Sequence, residues 1–124
     1  MSSHALVIDD SRAMRAILSR QLRQLGFEVM EAGHGGEALE RLRESPALPV
    51  LALVDWNMPH MNGLEFVRAV RARPELDALR LVMVTTETEL SRVRAALDAG
   101  ANEYVMKPFT TDILLGKLAS VGLP

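Results

Sequence analysis

The sequence predicts an α/β, doubly wound domain: a five-stranded parallel sheet with five helices covering both of its faces. Three observations carry this reading. Short apolar runs alternate five times with segments whose apolar residues recur every three or four positions. The central run, Val50 to Val54, is continuously apolar, as a strand buried on both faces requires. The βα units follow one another through all 124 residues without a linker, a low-complexity stretch or a long tail, so residues 1–124 are read as a single domain. Right-handed crossovers leave few arrangements of such a sheet, and 2-1-3-4-5 is one common strand order.

The elements follow in order. Ala5-Leu6-Val7-Ile8 is a strand ending at Asp9-Asp10, and Met14, Ile17, Leu18, Leu22 and Leu25 then mark one face of a helix. Ser11 is placed to cap that helix and Gly26 to stop it. Phe27 to Glu31 forms the second strand, Gly33 to Gly36 a loop, and Ala38, Leu39 and Leu42 a second helix that Ser45 to Pro49 breaks. Val50 to Val54 ends at Asp55; a proline-containing loop runs from Trp56 to Asn62, and Leu64, Val67 and Val70 mark a third helix that ends before Pro74. Leu81 to Val84 is a fourth strand ending at Thr85, followed by a helix through Leu90, Val93 and Leu97 that Gly100 stops. Tyr104-Val105-Met106 is the last strand, ending at Lys107-Pro108, and Ile113, Leu114, Leu118 and Val121 complete the fifth helix.

Open sheets of this kind bind ligands at the carboxyl ends of their strands, near the switch point between strands 1 and 3. Those ends carry Asp9 and Asp10, Asp55, Thr85 and Lys107. Loops are polar, which accounts for one or two such residues. It accounts poorly for three carboxylates, a hydroxyl and an ammonium from four strands meeting at one edge. Crowded carboxylates repel unless a cation joins them, and an all-oxygen donor set suits Mg²⁺, or Mn²⁺ in its place. Thr85 can donate to a phosphoryl oxygen and Lys107 can hold another by charge. Asp55, in the middle, is then the natural nucleophile, forming an acyl phosphate, with catalysis by positioning and electrostatics.

Asp9-Asp10, Asp55, Thr85 and Lys107-Pro108 resemble the full signature of response-regulator receiver domains. Asp55-Trp56-Asn57-Met58-Pro59 and Tyr104-Val105-Met106-Lys107-Pro108-Phe109 are similar to chemotaxis regulators of the CheY type, and the similarity spans essentially the whole chain. The resemblance implies a flavodoxin/CheY-like sheet, CheY being a standard example of the 2-1-3-4-5 order. It also implies that a histidine kinase phosphorylates Asp55. Asp10 and Asp55 would hold Mg²⁺ through side chains, Asn57 through its backbone carbonyl and Asp9 through bound water. Thr85 and Tyr104 would form a switch pair, and the Lys107-Pro108 bond would be cis. Asn57 and Glu87 would flank the path of attacking water and tune the hydrolysis rate. Position 86, often alanine or glycine in the family, is Thr86, a bulkier neighbour for the phosphoryl site; Asn62 stands where aspartate is common.

Composition bounds the alternatives. The formal net charge is −2 and both signs are dispersed, which gives no basic footprint for nucleic acid. No apolar run approaches the roughly 20 residues of a membrane span, no signal-peptide pattern opens the chain, and the absence of cysteine excludes thiolate chemistry. The expectation is a cytoplasmic monomer. Gly33-His34-Gly35-Gly36-Glu37-Ala38 matches a dinucleotide fingerprint, but that fingerprint belongs in the first βα turn, where Asp9-Asp10 would repel a pyrophosphate; flavin binding fails for the same reason. A phosphohydrolase with an aspartyl nucleophile is the enzyme rival, set back by an Asp-Asp pair in place of Asp-x-Asp. His4, His34 and His60 lack metal spacing, Met14, Met83 and Met106 read as core filler, Trp56 as a loop-packing residue, and Arg68, Arg71 and Arg73 as a solvated face. The output expected is a shape change on the helix 4, strand 5, helix 5 face. Its target would be a protein, such as a flagellar motor component or another signalling protein. The stand-alone form is favoured over a receiver cut from a longer regulator with a DNA-binding or enzymatic output domain.

Overall fold

The computed structural model describes residues 3–45, 47–86 and 90–123. Five parallel strands, β1 (His4–Ile8), β2 (Glu28–Ala32), β3 (Leu51–Asp55), β4 (Arg80–Thr85) and β5 (Glu103–Met106), lie in the order β2-β1-β3-β4-β5. Helices α1 (Arg12–Gln24), α2 (Gly35–Glu44), α3 (Gly63–Arg71), α4 (Leu90–Ala99) and α5 (Thr111–Ser120) connect and follow them. The predicted fold class and strand order are both observed.

Strand periodicity divides the core into two layers, because successive side chains point to opposite faces. Leu6, Ile8, Ala52, Val54, Leu81 and Met83 face Ala38, Leu42, Phe66, Val67, Val70 and Ala96 from α2, α3 and α4. Ala5, Val7, Leu51, Leu53, Val82, Val84 and Val105 face Leu18, Leu22, Leu114 and Leu118 from α1 and α5. All five residues of β3 are buried, the apolar Leu51–Val54 as a strand covered on both faces requires and Asp55 at its carboxyl end. The edge strands β2 and β5 carry Glu28, Glu31 and Glu103, which discourage pairing with another chain.

Local chemistry sets the ends of the elements. Ser11 caps α1 by accepting from the Met14 amide at 3.2 Å. After α1, Gly26 takes φ +97°, a left-handed turn open to glycine. Helix α2 starts inside the predicted Gly33–Gly36 loop: His34 Nδ1 accepts from the Glu37 amide at 3.1 Å, and Glu37 Oε1 accepts from the Gly33 amide at 2.6 Å. This reciprocal cap offsets the poor helix propensity of Gly35 and Gly36. A 3₁₀ turn at Pro74–Leu76, absent from the sequence reading, buries Leu76 between α3 and β4.

Two further expectations are corrected. Met106 is 37% exposed, because it stands on an edge strand, whereas Met83 on the interior β4 is fully buried. Arg71 does not lie on a solvated face. Its guanidinium donates to the carbonyls of Gly100 (3.0 Å), Leu76 (3.0 Å) and Leu79 (2.7 Å) and to Asn102 Oδ1 (3.0 Å).

Candidate functional site

Strands β1 and β3 are neighbours, with Ile8 opposite Val54, so Asp9 and Asp10 leave β1 beside Asp55 at the end of β3. Asp9 is 1% exposed and Asp55 5%, while Asp10 is open to solvent. One carboxylate oxygen from each lies within 4.8 Å of the other two. Burial raises the Asp9 pKa above its ordinary value, and the charge of Asp10 adds to the rise; the Ser11 amide, Lys107 and Arg15 act against it.

The site fits a hard cation. Asp9 Oδ1 accepts from the Ser11 amide at 2.9 Å, but Oδ2 is buried with no hydrogen-bond partner among the described residues. A buried carboxylate oxygen left in that state is costly, and a cation bound by oxygen ligands removes the cost.

Lys107 enters from β5. Its amide donates to the Thr85 carbonyl at 2.7 Å, which ties the end of β5 to the end of β4. The following bond to Pro108 is cis, as the resemblance implies. Lys107 Nζ lies 3.4 Å from Asp55 Oδ1, long for a hydrogen bond but within ion-pair contact. Thr85 is fully buried at the end of β4, one residue beyond the partner of Asp55, and its hydroxyl donates to the Thr86 carbonyl at 3.2 Å.

The remaining predicted residues are more dispersed. Asn57 is exposed in the loop after β3. Thr86 lines a groove of about 480 Å³ with Met14, Ile17, Lys107, Pro108 and Phe109. Glu87 lies outside the described residues. Tyr104 stands near the start of β5, half-buried, lining a groove with Val93, Arg94, Leu97 and Asp98 of α4, with the Lys117 ammonium of α5 over its ring. Trp56, beside Asp55, is 3% exposed and belongs to the core, as expected of a packing residue. Its neighbourhood is tight: a Cβ on Gly63 would stand 3.2 Å from the Trp56 Cα.

Sequence reasoning missed Arg15. Its Nη1 donates to the Asp9 carbonyl at 2.6 Å and its Nε lies 3.4 Å from Glu31 Oε1. A polar residue on a helix reads as solvent-facing, and only the pairing of β1 with β2 reveals what it meets.

The chain was compared with known proteins. Residues 5–119 match the response regulator receiver domain family. A chemotaxis protein CheY homolog of Campylobacter jejuni is 47% identical over 117 residues, covering 94% of this chain and 89% of the relative. Chemotaxis protein CheY1 of Helicobacter pylori is 47% identical over 117 residues, covering 94% of each. Among solved structures, the chemotaxis response regulator CheY4 of Vibrio cholerae superposes with a TM-score of 0.86 at 34% identity, covering 98% of this chain and 99% of that one.

Proposed function

From the premise that this chain belongs to the response regulator receiver domain family, a family of signalling regulators rather than classical enzymes, we propose that it carries a phosphoryl group on Asp55 and passes the signal to a target protein. A carboxylate oxygen of Asp55 attacks the phosphorus of a phosphohistidine on a kinase. The P–N bond breaks, the imidazole nitrogen keeps the bonding pair and takes a proton, and Asp55 becomes an aspartyl phosphate. Hydrolysis reverses the state: water attacks phosphorus, the P–O bond to Asp55 breaks, and inorganic phosphate leaves.

The observation that carries this reading is the meeting of Asp9, Asp10 and Asp55 within 4.8 Å with the Lys107 ammonium 3.4 Å from Asp55. Asp10 and Asp55, the Asn57 carbonyl, and Asp9 through water would hold Mg²⁺ or Mn²⁺. When bound, the cation offsets charge on the transferring group. Lys107 would neutralise a phosphoryl oxygen, and Thr85 would release the Thr86 carbonyl to donate to another. Thr85 and Tyr104 are then the switch pair that turns the charge at Asp55 into a change on the α4, β5, α5 face. Asn57, Thr86 and Glu87 set the rate at which water reaches the phosphoryl group.

The chemotaxis names of the relatives support a CheY-like role for a single receiver domain, with a flagellar motor component or a similar signalling protein as target. The test is phosphoryl transfer from labelled acetyl phosphate to the chain and to Asp55→Asn, each with MgCl₂ and with EDTA. Label should enter only the wild-type protein with Mg²⁺; incorporation into Asp55→Asn at the wild-type rate would sink the assignment.

A further inference from the structure

Asp9 is held at three of its four polar atoms. Its amide donates to the Ala32 carbonyl at 3.1 Å, its carbonyl accepts from Arg15 Nη1 at 2.6 Å, and its Oδ1 accepts from the Ser11 amide at 2.9 Å. Only Oδ2 is left, buried and without a hydrogen-bond partner among the described residues. That oxygen is what Asp9 can offer to a ligand at the acidic cluster. Two of the three restraints come from backbone amides or carbonyls fixed by β1, β2 and the cap of α1. The third is a side chain, Arg15, reaching back from the first turn of α1.

Arg15 is itself restrained. Its side chain is 18% exposed, and its Nε lies 3.4 Å from Glu31 Oε1 on β2. Gly33 gives it room, since a Cβ there would stand 3.4 Å from Arg15 Nη1. One planar fork therefore bridges β2 and the Asp9 main chain. A lysine ammonium is a point charge and does not reproduce that pair of bonds.

We infer that Arg15 is a positioning residue for the cation site: it locks the Asp9 main chain and so holds the Asp9 carboxylate beside Asp10 and Asp55. The inference rests on the metal-site reading given above. Its sign is distinctive. A positive charge near the site repels a cation, so removing Arg15 would tighten Mg²⁺ binding if charge were its whole contribution. A positioning role has the opposite effect, because partners that orient ligands are commonly worth tenfold or more in metal affinity.

The experiment is a calorimetric titration of MgCl₂ into the full chain, paralleled by Trp56 emission, with thermal midpoints in EDTA recorded for each protein. Arg15→Lys keeps the charge and loses the fork, and should bind Mg²⁺ about tenfold more weakly than wild type. Arg15→Met should also bind more weakly. Glu31→Gln, which leaves Asp9 and α1 unaltered, should also bind more weakly, and the charge-preserving Arg15→Lys carries the test if Arg15→Met fails to fold. Wild-type affinity in Arg15→Lys, or tighter binding by Arg15→Met, would overturn the inference while leaving the metal site standing. A wild-type chain that takes up no Mg²⁺ would overturn the site and the inference together.

Discussion

Lys117 of α5 holds its ammonium 4.5 Å from the centre of the Tyr104 ring, and the same nitrogen lies 3.6 Å from Glu103 Oε1. The residue proposed as the mobile half of the switch is thus covered by a cation in this arrangement. A cation–π contact at a partly exposed site is worth about 0.5–1 kcal/mol. Removing it should shift a two-state ring equilibrium about two- to fivefold away from the present position. The chain has one tyrosine, so a single fluorotyrosine resonance reports the ring. Lys117→Gln, unphosphorylated, should move that resonance toward its position in acetyl-phosphate-treated wild type, and Lys117→Arg should not. Superimposable spectra of Lys117→Gln and wild type would refute the hold.

Lys107 approaches the same carboxylates that the cation would bind, so its removal should act with opposite signs on two measurements. Lys107→Ala leaves the acidic cluster more negative and should bind Mg²⁺ more tightly. Phosphorylation by acetyl phosphate should nonetheless slow by about a hundredfold, the usual cost of deleting one group that meets developing charge. Single-turnover incorporation alongside a Mg²⁺ titration checks both. A variant that slows only because it binds Mg²⁺ poorly would contradict the assignment.

Asp9 gives a pH dependence whose sign follows from its burial. Its folded-state pKa is raised above the ordinary value of 3.8. The folded chain therefore holds this proton more tightly than the unfolded chain. The associated stability is complete below pH 3.8 and is lost as pH rises through the higher folded value. At neutral pH without metal, Asp9 is consequently a burden. Asp9→Asn should raise the thermal midpoint in EDTA at pH 7, and the advantage over wild type should disappear at pH 3. Mg²⁺ should raise the midpoint of wild type more than that of the variant. Equal midpoints in EDTA at pH 7 would refute the burial argument.

What could be read in the sequence divides along physical lines. Val50–Val54 and the helical spacing of Met14, Leu18 and Leu22 announce their elements because one face, or both, must be apolar to be buried. Asp9, Asp10, Asp55 and Lys107 were legible as a group because parallel topology brings strand ends to one edge. Arg15 and Arg71 were not legible, because what they do depends on carbonyls supplied by distant segments, and a charged helix residue carries the same letter whether it meets water or backbone. The start of α2 was missed for a related reason: His34 and Glu37 cap it by side-chain geometry that outweighs two glycines.

Arg71 supplies the sharpest stability test, since it joins the end of α3 to the 3₁₀ segment and to the loop between α4 and β5. It reaches the Leu76 carbonyl at the end of the 3₁₀ turn and the Leu79 carbonyl just after it, the Gly100 carbonyl after α4, and Asn102 Oδ1, which also accepts from the Leu81 amide near the start of β4. Arg71→Met retains most of the aliphatic packing and deletes every donor. The Leu76 carbonyl keeps the Leu79 amide as a donor and Asn102 Oδ1 keeps the Leu81 amide, so the loss falls mainly on the Leu79 and Gly100 carbonyls. With about 1 kcal/mol for each bond forfeited, the variant should lose about 2–3 kcal/mol in urea unfolding. Arg68→Ala, one turn away and exposed, should stay within about 0.5 kcal/mol of wild type. Gly100→Ala probes the same joint from the other side. Gly100 sits at φ +123°, and an added Cβ would stand 2.7 Å from Arg71 Cγ. It should cost more than about 1 kcal/mol through backbone strain alone. Part of its effect runs through displacement of Arg71, so combining it with Arg71→Met should cost less than the sum of the two single changes. Strict additivity would show that the guanidinium and the glycine turn act independently.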